Sequence, residues 1–400
     1  MTDLLKPRDT KDVEAAVQWA LAGGKTFEIV GHGSKRGIGR AAQWDLSLDL
    51  SDLSGVTLYE PAELVLSAKA GTPIADIERL LAASHQELAF EPMDYGPIFG
   101  AAAGRGTLGG VLATNLSGPR RIKAGAARDH FLGFTAVSGR GEIFKSGGRV
   151  VKNVTGYDLC KVLAGSYGTL AALTDVTVKV LPRAETEQSL LVLGLDDATA
   201  AKAMSIAMGS PNDVSGAAHF PTPLAAVMQA EAGTAVTALR LEGVAPSVEH
   251  RMQALEGLLK PFGAIAELKE EASRELWKAT RDVMPFANDD RALWRISAAP
   301  MRAHEIARAI GAACECFYDW AGGLVWAALP VADDGGAAIV RPAVAATGGH
   351  ATLIRAPAAI RAAVPVFQPQ DEALAALTRR VKDSFDPKGV FGPGRMWAGI

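Results

Sequence analysis

The sequence runs to 400 residues, beyond what one hydrophobic core usually organises, so two domains are expected, each able to bury a core without disulfide or metal staples. Hydrophobic residues make up 48% and charged residues 21%, and no stretch approaches the roughly 18 consecutive apolar residues of a membrane span, which argues against a transmembrane segment. A formal net charge of -3 without a dense Lys/Arg block excludes the electrostatic footprint of nucleic-acid binding.

Asp9 or Thr10 is placed to cap a helix whose apolar positions Val13, Ala16, Val17, Ala20 and Leu21 recur at helical spacing, and Gly23-Gly24 ends it. A strand over residues 26–30 runs into Gly31-His32-Gly33-Ser34-Lys35-Arg36-Gly37-Ile38-Gly39. Glycines there let successive backbone N–H groups turn toward one point and leave no Cβ in the way of a phosphate, so the loop reads as an anion cradle. After a strand over residues 46–50, Thr72 is expected to cap and Pro73 to begin a second amphipathic helix, with Ile74, Ile77, Leu80 and Leu81 on its buried face. Residues 91–118 are rich in proline and glycine and low in charge, the composition of a long loop that covers a ligand. Strands follow over residues 131–137, 142–145 and 173–180, and the first domain ends near Arg183.

Beyond that boundary, strands over residues 190–195 and 236–241 are each followed by a helix, beginning after Asp197 and Ser247. Strands over residues 293–298 and 324–329 flank a helix over 301–310, which suggests an antiparallel sheet backed by helices on one face. Residues 337–346 and 358–364 are alanine-rich, proline-punctuated and ambiguous; a helix over 371–384 and a turn-rich tail close the chain.

Cys160 stands alone, and Cys314 and Cys316 are too close together for a zinc or iron-sulfur ligand set, so all three read as reduced packing residues and no metal is expected. The segment Gly104-Arg105-Gly106-Thr107-Leu108-Gly109 matches the Rossmann dinucleotide fingerprint literally, with Asp129 about twenty residues on. Its context does not fit, because Pro97, Gly100 and three alanines precede it where a strand should feed the first glycine. The alternative reading has two glycine-rich loops, around residues 31–35 and 106–118, closing on one dinucleotide.

The Gly31-His32-Gly33-Ser34-Lys35 loop, Ala70-Gly71-Thr72-Pro73, Glu91-Pro92-Met93-Asp94, Gly106-Thr107-Leu108-Gly109-Gly110, and Ala113-Thr114-Asn115 through Ser117-Gly118-Pro119-Arg120-Arg121 together resemble the FAD domain of the vanillyl-alcohol oxidase class. Arg128-Asp129-His130, the stretch Lys152-Asn153-Val154-Thr155-Gly156-Tyr157-Asp158-Leu159, Gly165-Ser166-Tyr167-Gly168-Thr169-Leu170 and Lys179-Val180-Leu181-Pro182 extend the resemblance to the smaller FAD-binding subunit of bacterial glycolate dehydrogenases. It covers residues 7–183 and, less fully, the tail around Asp386-Pro387 and Pro393-Gly394-Arg395-Met396.

The resemblance implies an α+β protein: a PCMH-type FAD-binding domain of two α/β subdomains over residues 1–183, a cap domain with an antiparallel sheet flanked by helices over 184–364, and a C-terminal segment, 365–400, returning to the first domain. It implies that the amides of Gly31, His32, Gly33, Ser34 and Lys35 hold the FAD pyrophosphate, while Met93, Gly109, Gly110, Ala113, Thr114, Asn115, Ser117 and Gly118 line the path from adenosine to flavin. Lys35 either screens phosphate charge or is a solvated loop lysine. Tyr157 and Asp158 read as a helix cap with a packed ring rather than as catalytic groups. Ser34 stands where a flavin-linking histidine falls in related proteins, and His32 two positions before it, so FAD is expected to be held non-covalently.

No catalytic residue is assigned beyond Arg395, a candidate for holding the acidic group of a substrate. The metal-binding histidine pair of related 2-hydroxyacid dehydrogenases has no counterpart, because His219, His250, His304 and His350 are widely separated. The expected partners are therefore a larger catalytic flavin subunit and an iron-sulfur subunit of one glycolate dehydrogenase complex, with a small 2-hydroxyacid as substrate. The N-terminus has no basic region followed by an apolar stretch, so a cytoplasmic location is expected, with any association with the inner membrane peripheral and made through partners. Two alternatives stay open: a stand-alone FAD-dependent alcohol or sugar oxidoreductase, and a redox-silent flavin-fold scaffold.

Overall fold

The computed structural model describes residues 3–149, 156–228 and 233–400. The Lys152–Thr155 part of the motif that ends at Leu159 lies outside the described residues. The chain divides into two compact units, the first made of Met1–Ser117, Gly125–Arg183 and Pro365–Ile400, the second of Gly118–Ala124 and Ala184–Val364.

Among its described residues the first unit holds two larger sheets and a two-stranded pairing of Gln86–Glu87 with Leu181–Pro182. In the smaller of those sheets, Leu46–Asp49 lies between Asp3–Leu5 and Phe27–Val30, all parallel. Helix Thr10–Gly23 packs Val13, Val17 and Ala20 into the same core as Phe27 and Leu48. Its ends follow the sequence signals: Asp9 accepts a hydrogen bond from the Asp12 N–H, and Gly24 closes the last turn at φ 60°. The C-terminal tail joins this core, for Phe27 donates to the Val390 carbonyl at 2.7 Å and Gly392 donates back to Phe27 at 2.8 Å.

The larger sheet is antiparallel, in the order Val56–Glu60, Val65–Lys69, Ala171–Lys179, Phe131–Ser138, Ile143–Gly147. Helices Ile74–Ala82, Leu108–Thr114 and Leu159–Leu163 share its core through Ile77, Leu81, Val111, Leu112, Cys160 and Leu163. Three local expectations change here. Thr72 does not cap the second helix: its hydroxyl accepts from Gly55 N–H and donates to the Lys69 carbonyl, and Pro73 takes the cap position. Asp158 does cap a helix, but the Tyr157 ring beside it is 89% exposed rather than packed. The expected loop over residues 106–118 contains the helix Leu108–Thr114, which Gly109 and Gly110 disguise because glycine is a poor helix former.

The second unit is built, among its described residues, on one antiparallel eight-stranded sheet. Its order is Ala264–Lys269, Thr186–Leu193, Val236–Gly243, Gly216–Phe220, Glu315–Asp319, Leu324–Leu329, Ala292–Ser297, His350–Arg355. Side chains alternate across it, so Leu190 and Val192 meet helices Asp197–Gly209 and Ala245–Leu259, while Ser189 faces the other way and accepts from the Trp277 indole of helix Glu271–Arg281. Helices therefore cover both faces at that end, not one. Four strands were not anticipated, namely Gly216–Phe220, Ala264–Lys269, Glu315–Asp319 and His350–Arg355, being short and mixed in Gly, Ala, Cys, His and charged residues. The ambiguous alanine-rich stretches are helices Ala337–Thr347, with Pro342 inside it, and Ala358–Ala363.

Candidate functional site

A cleft with about 730 Å³ of empty space opens inside the first unit, within the usual range for a ligand site. One wall is the end of strand Phe27–Val30 and the loop Gly31, His32, Gly33, Ser34, Lys35 that follows it. The other is the helix Leu108–Thr114, presenting Gly109, Gly110, Ala113 and Thr114.

Each wall has a close contact that admits no side chain on its glycine. A Cβ on Gly31 would stand 2.7 Å from Thr107 Oγ1, and one on Gly109 would stand 2.8 Å from the Ala70 Cβ. Thr107 Oγ1 in turn accepts from the Gly110 N–H at 3.3 Å and caps the helix. Gly33 turns the loop at φ 77°, a conformation costly for other residues. Among the described residues, the amides of His32, Gly33, Ser34 and Lys35 donate to no protein acceptor, while the Gly33 and Lys35 carbonyls accept from Arg36 and Ile38. A run of free donors converging on a cleft is what a pyrophosphate needs.

Lys35 is not a solvated loop residue. It is buried, its Nζ lies 3.5 Å from Ser34 Oγ, and a Cβ on Gly106 or Gly110 would come within 3.7 or 3.8 Å of that Nζ. The side chain thus reaches from the first glycine segment to the second. Burial pushes its ammonium down to about 8, with Asp94 opposing the shift. A second cation, Arg395, lines the same cleft; it is buried, donates to the Lys35 carbonyl at 3.4 Å and lies 4.0 Å from Glu28 Oε1.

Four of the residues singled out from the sequence do not line the cleft. Met93 is buried with its sulfur accepting from the Tyr95 hydroxyl. Asn115 ends the short helix in a left-handed conformation and its Oδ1 accepts from Arg128 N–H, while Ser117 Oγ accepts from Ala127 N–H. Gly118 belongs to the second unit, where its carbonyl accepts from the Trp320 indole. Thr114 does line the cleft, with its hydroxyl already donating to the Gly110 carbonyl at 2.7 Å. Conversely, Ala70, Gly71, Thr107, Tyr167 and Gly168 line the cleft without having been singled out, although the motifs that contain them were visible.

Outside this cleft His219 is engaged structurally. His219 is fully buried between Thr237 Oγ1 at 2.9 Å and Asp197 Oδ1 at 3.3 Å. Among the described residues no three His, Cys, Asp or Glu side chains are grouped to hold a metal ion, and the three cysteines are unbridged.

Residues 3–147 match the family model for an FAD binding domain. Over 387 residues the chain is 33% identical to the glycolate oxidase subunit GlcE of Escherichia coli (strain K12), covering 96% of this chain and 95% of that protein. The glycolate oxidase subunit GlcD of Bacillus subtilis (strain 168) is 33% identical over 178 residues, 42% of this chain and 38% of that protein. The crystal structure of p-cresol methylhydroxylase superposes with a TM-score of 0.73 over 98% of this chain and 88% of that one, at 12% identity, which shows a shared fold.

Proposed function

Since the chain belongs to the GlcE family of glycolate oxidase subunits, we propose that it is the FAD-binding subunit of a glycolate-oxidising complex, with the cleft of the first unit as its flavin site. The observation that carries the site is the pairing of free backbone donors at His32 to Lys35 with a buried lysine beside them, inside a cleft where Gly31 and Gly109 leave no room for a Cβ.

In this reading the amides of residues 32–35 bind the pyrophosphate, and the Lys35 ammonium neutralises it at low dielectric, where the attraction is strongest. Gly31 and Gly109 keep the walls close enough to exclude water from the phosphates. Bound there, FAD supplies the acceptor for the electron pair released when a 2-hydroxyacid becomes a 2-oxoacid. Both His32 and Ser34 line the cleft; because Ser34, not His32, stands at the position of the linking histidine in related proteins, this reading has the cofactor held without a covalent bond. Arg395, packed against Glu28 and the Lys35 carbonyl, positions the loop. A larger flavin subunit and an iron-sulfur subunit complete the complex and carry the electrons away.

The test is expression with and without these partner subunits, followed by flavin absorbance and glycolate-dependent dye reduction. The reading expects FAD in the isolated chain, released on acid denaturation, and dye reduction only with the partners. Turnover by the isolated chain would instead favour a self-sufficient oxidoreductase, and a chain unable to take up FAD would favour a redox-silent scaffold.

A further inference from the structure

We propose that the second unit carries a binding site for a small carboxylate, built by Arg295 and Arg121 around the ring of Trp320. That the carboxylate belongs to a 2-hydroxyacid or its 2-oxoacid product rests on the function proposed above; the anion site itself rests on geometry within this unit.

The strand Ala292–Ser297 alternates its side chains, so Trp294, which donates its indole N–H to the Gly335 carbonyl, and Arg295 point to opposite faces. Register sets Arg295 between Trp326 on one neighbouring strand and Thr352 on the other. Its guanidinium carbon lies 4.9 Å from the centroid of Trp320, and that of Arg121 lies 4.4 Å from the same ring. His350 stands opposite Ser297 on the face that carries Arg295, and burial together with both arginines holds it below the ordinary imidazole value. Three basic side chains therefore share one neighbourhood.

The arginines around them are matched. Arg120 pairs with Glu242 at 2.8 Å, Arg291 with Asp289 at 2.7 Å, and Arg355 donates to the Phe286 and Arg291 carbonyls. Arg295 differs from them in its charge balance: its Nε is buried without a hydrogen-bond partner, as is that of Arg120, but no described residue offers Arg295 a carboxylate. A buried donor left unsatisfied in a native protein calls for an acceptor, and one beside a second guanidinium calls for an anionic one. A carboxylate suits the place because two oxygens in a plane meet the guanidinium fork, whose orientation the indole ring already sets.

The experiment uses the full chain and titrates glycolate and glyoxylate by calorimetry, with thermal midpoints read in parallel and FAD content read from absorbance. Arg295→Met is expected to weaken carboxylate binding by about tenfold or more and to abolish the carboxylate-dependent rise in midpoint, with Arg295→Lys recovering part of it. Its ligand-free midpoint is expected to be unchanged or higher, because the unmatched cation is gone; a purely structural arginine would lower it. Arg121→Met, from a distant segment, repeats the test should the first variant misfold. Binding by both variants within twofold of the parent overturns the site, as does equal binding of chloride or inorganic phosphate. Arg295-dependent binding without glycolate oxidation by the reconstituted complex would support the site while overturning the function; oxidation with unaltered binding in both variants would do the reverse.

Discussion

Lys35 keeps 8% of its surface exposed in a glycine-walled cleft, held there against its preference for water. Its ordinary value of 10.5 falls to about 8 because burial penalises the charged form. With a folded value below the unfolded one, the ligand-free protein gains stability as pH rises from about 8 through 10.5, where the unfolded chain holds the extra proton. Binding a pyrophosphate reverses the local preference and restores the proton. FAD affinity is therefore expected to be insensitive to this group below pH 8 and to fall above it by up to about tenfold per pH unit. Fluorescence titration of apoprotein between neutral and alkaline pH reads this directly, and Lys35→Met should weaken binding on the acid side and remove the slope. An unchanged slope in the variant would take Lys35 out of the site. The sequence left this residue undecided between a cleft and a solvated loop, because local pattern carries no information on what covers a side chain. Asn115 and Ser117 show the reverse: both read as ligand-facing loop residues, and folding uses them to tie down the backbone of Arg128 and Ala127.

At the scale of elements, the tail shows how a turn-rich stretch becomes part of a core. Helix Glu372–Phe385 is largely exposed, yet its Lys382 is buried and donates to the Thr169 and Phe391 carbonyls at 2.7 and 2.8 Å and to Asp386 at 2.7 Å. Asp386 also accepts from the Val390 and Phe391 amides, which aligns the tail beside Phe27. Removing one member leaves the other charge buried and unmatched. Lys382→Met is expected to destabilise the first unit by about 3–5 kcal/mol in denaturant melts, and Lys382→Met with Asp386→Asn together should lose less than the single lysine change. A single variant within about 0.5 kcal/mol of the parent, the size of an ordinary surface change, would refute the buried-pair account. Asp386-Pro387 reads only as a turn from sequence, since its partners lie far away along the chain. The helix Thr10–Gly23, by contrast, was legible nearly to the residue because its cap, stripe and stop are all local. The strand His350–Arg355 was not, because its pairing with Ala292–Ser297 supplies what its own composition lacks.

At the scale of the whole chain, two units with separate cores mean that FAD, in the cleft proposed for it, would stabilise one of them directly. By mass action, FAD at 100 times its Kd should stabilise the first unit by about 2.7 kcal/mol, visible in calorimetry as an upward shift of its transition. Gly31→Ala, whose new Cβ would stand 2.7 Å from Thr107 Oγ1, should lose both flavin absorbance and that shift; a normal FAD-induced shift in this variant would place the cofactor elsewhere. By itself the sequence determined the α+β class, the glycine loop after the first parallel strand and the family resemblance, because these live in local patterns and in ordered motifs. Only tertiary structure decided that the loop at residues 31–35 meets Gly109 and Gly110 across a cleft, that Lys35 is buried between them, and that Arg295 stands on Trp320 with no carboxylate offered by a described residue. The physical reason is that burial and partnership are properties of surfaces brought together by folding, and segments distant in sequence supply them.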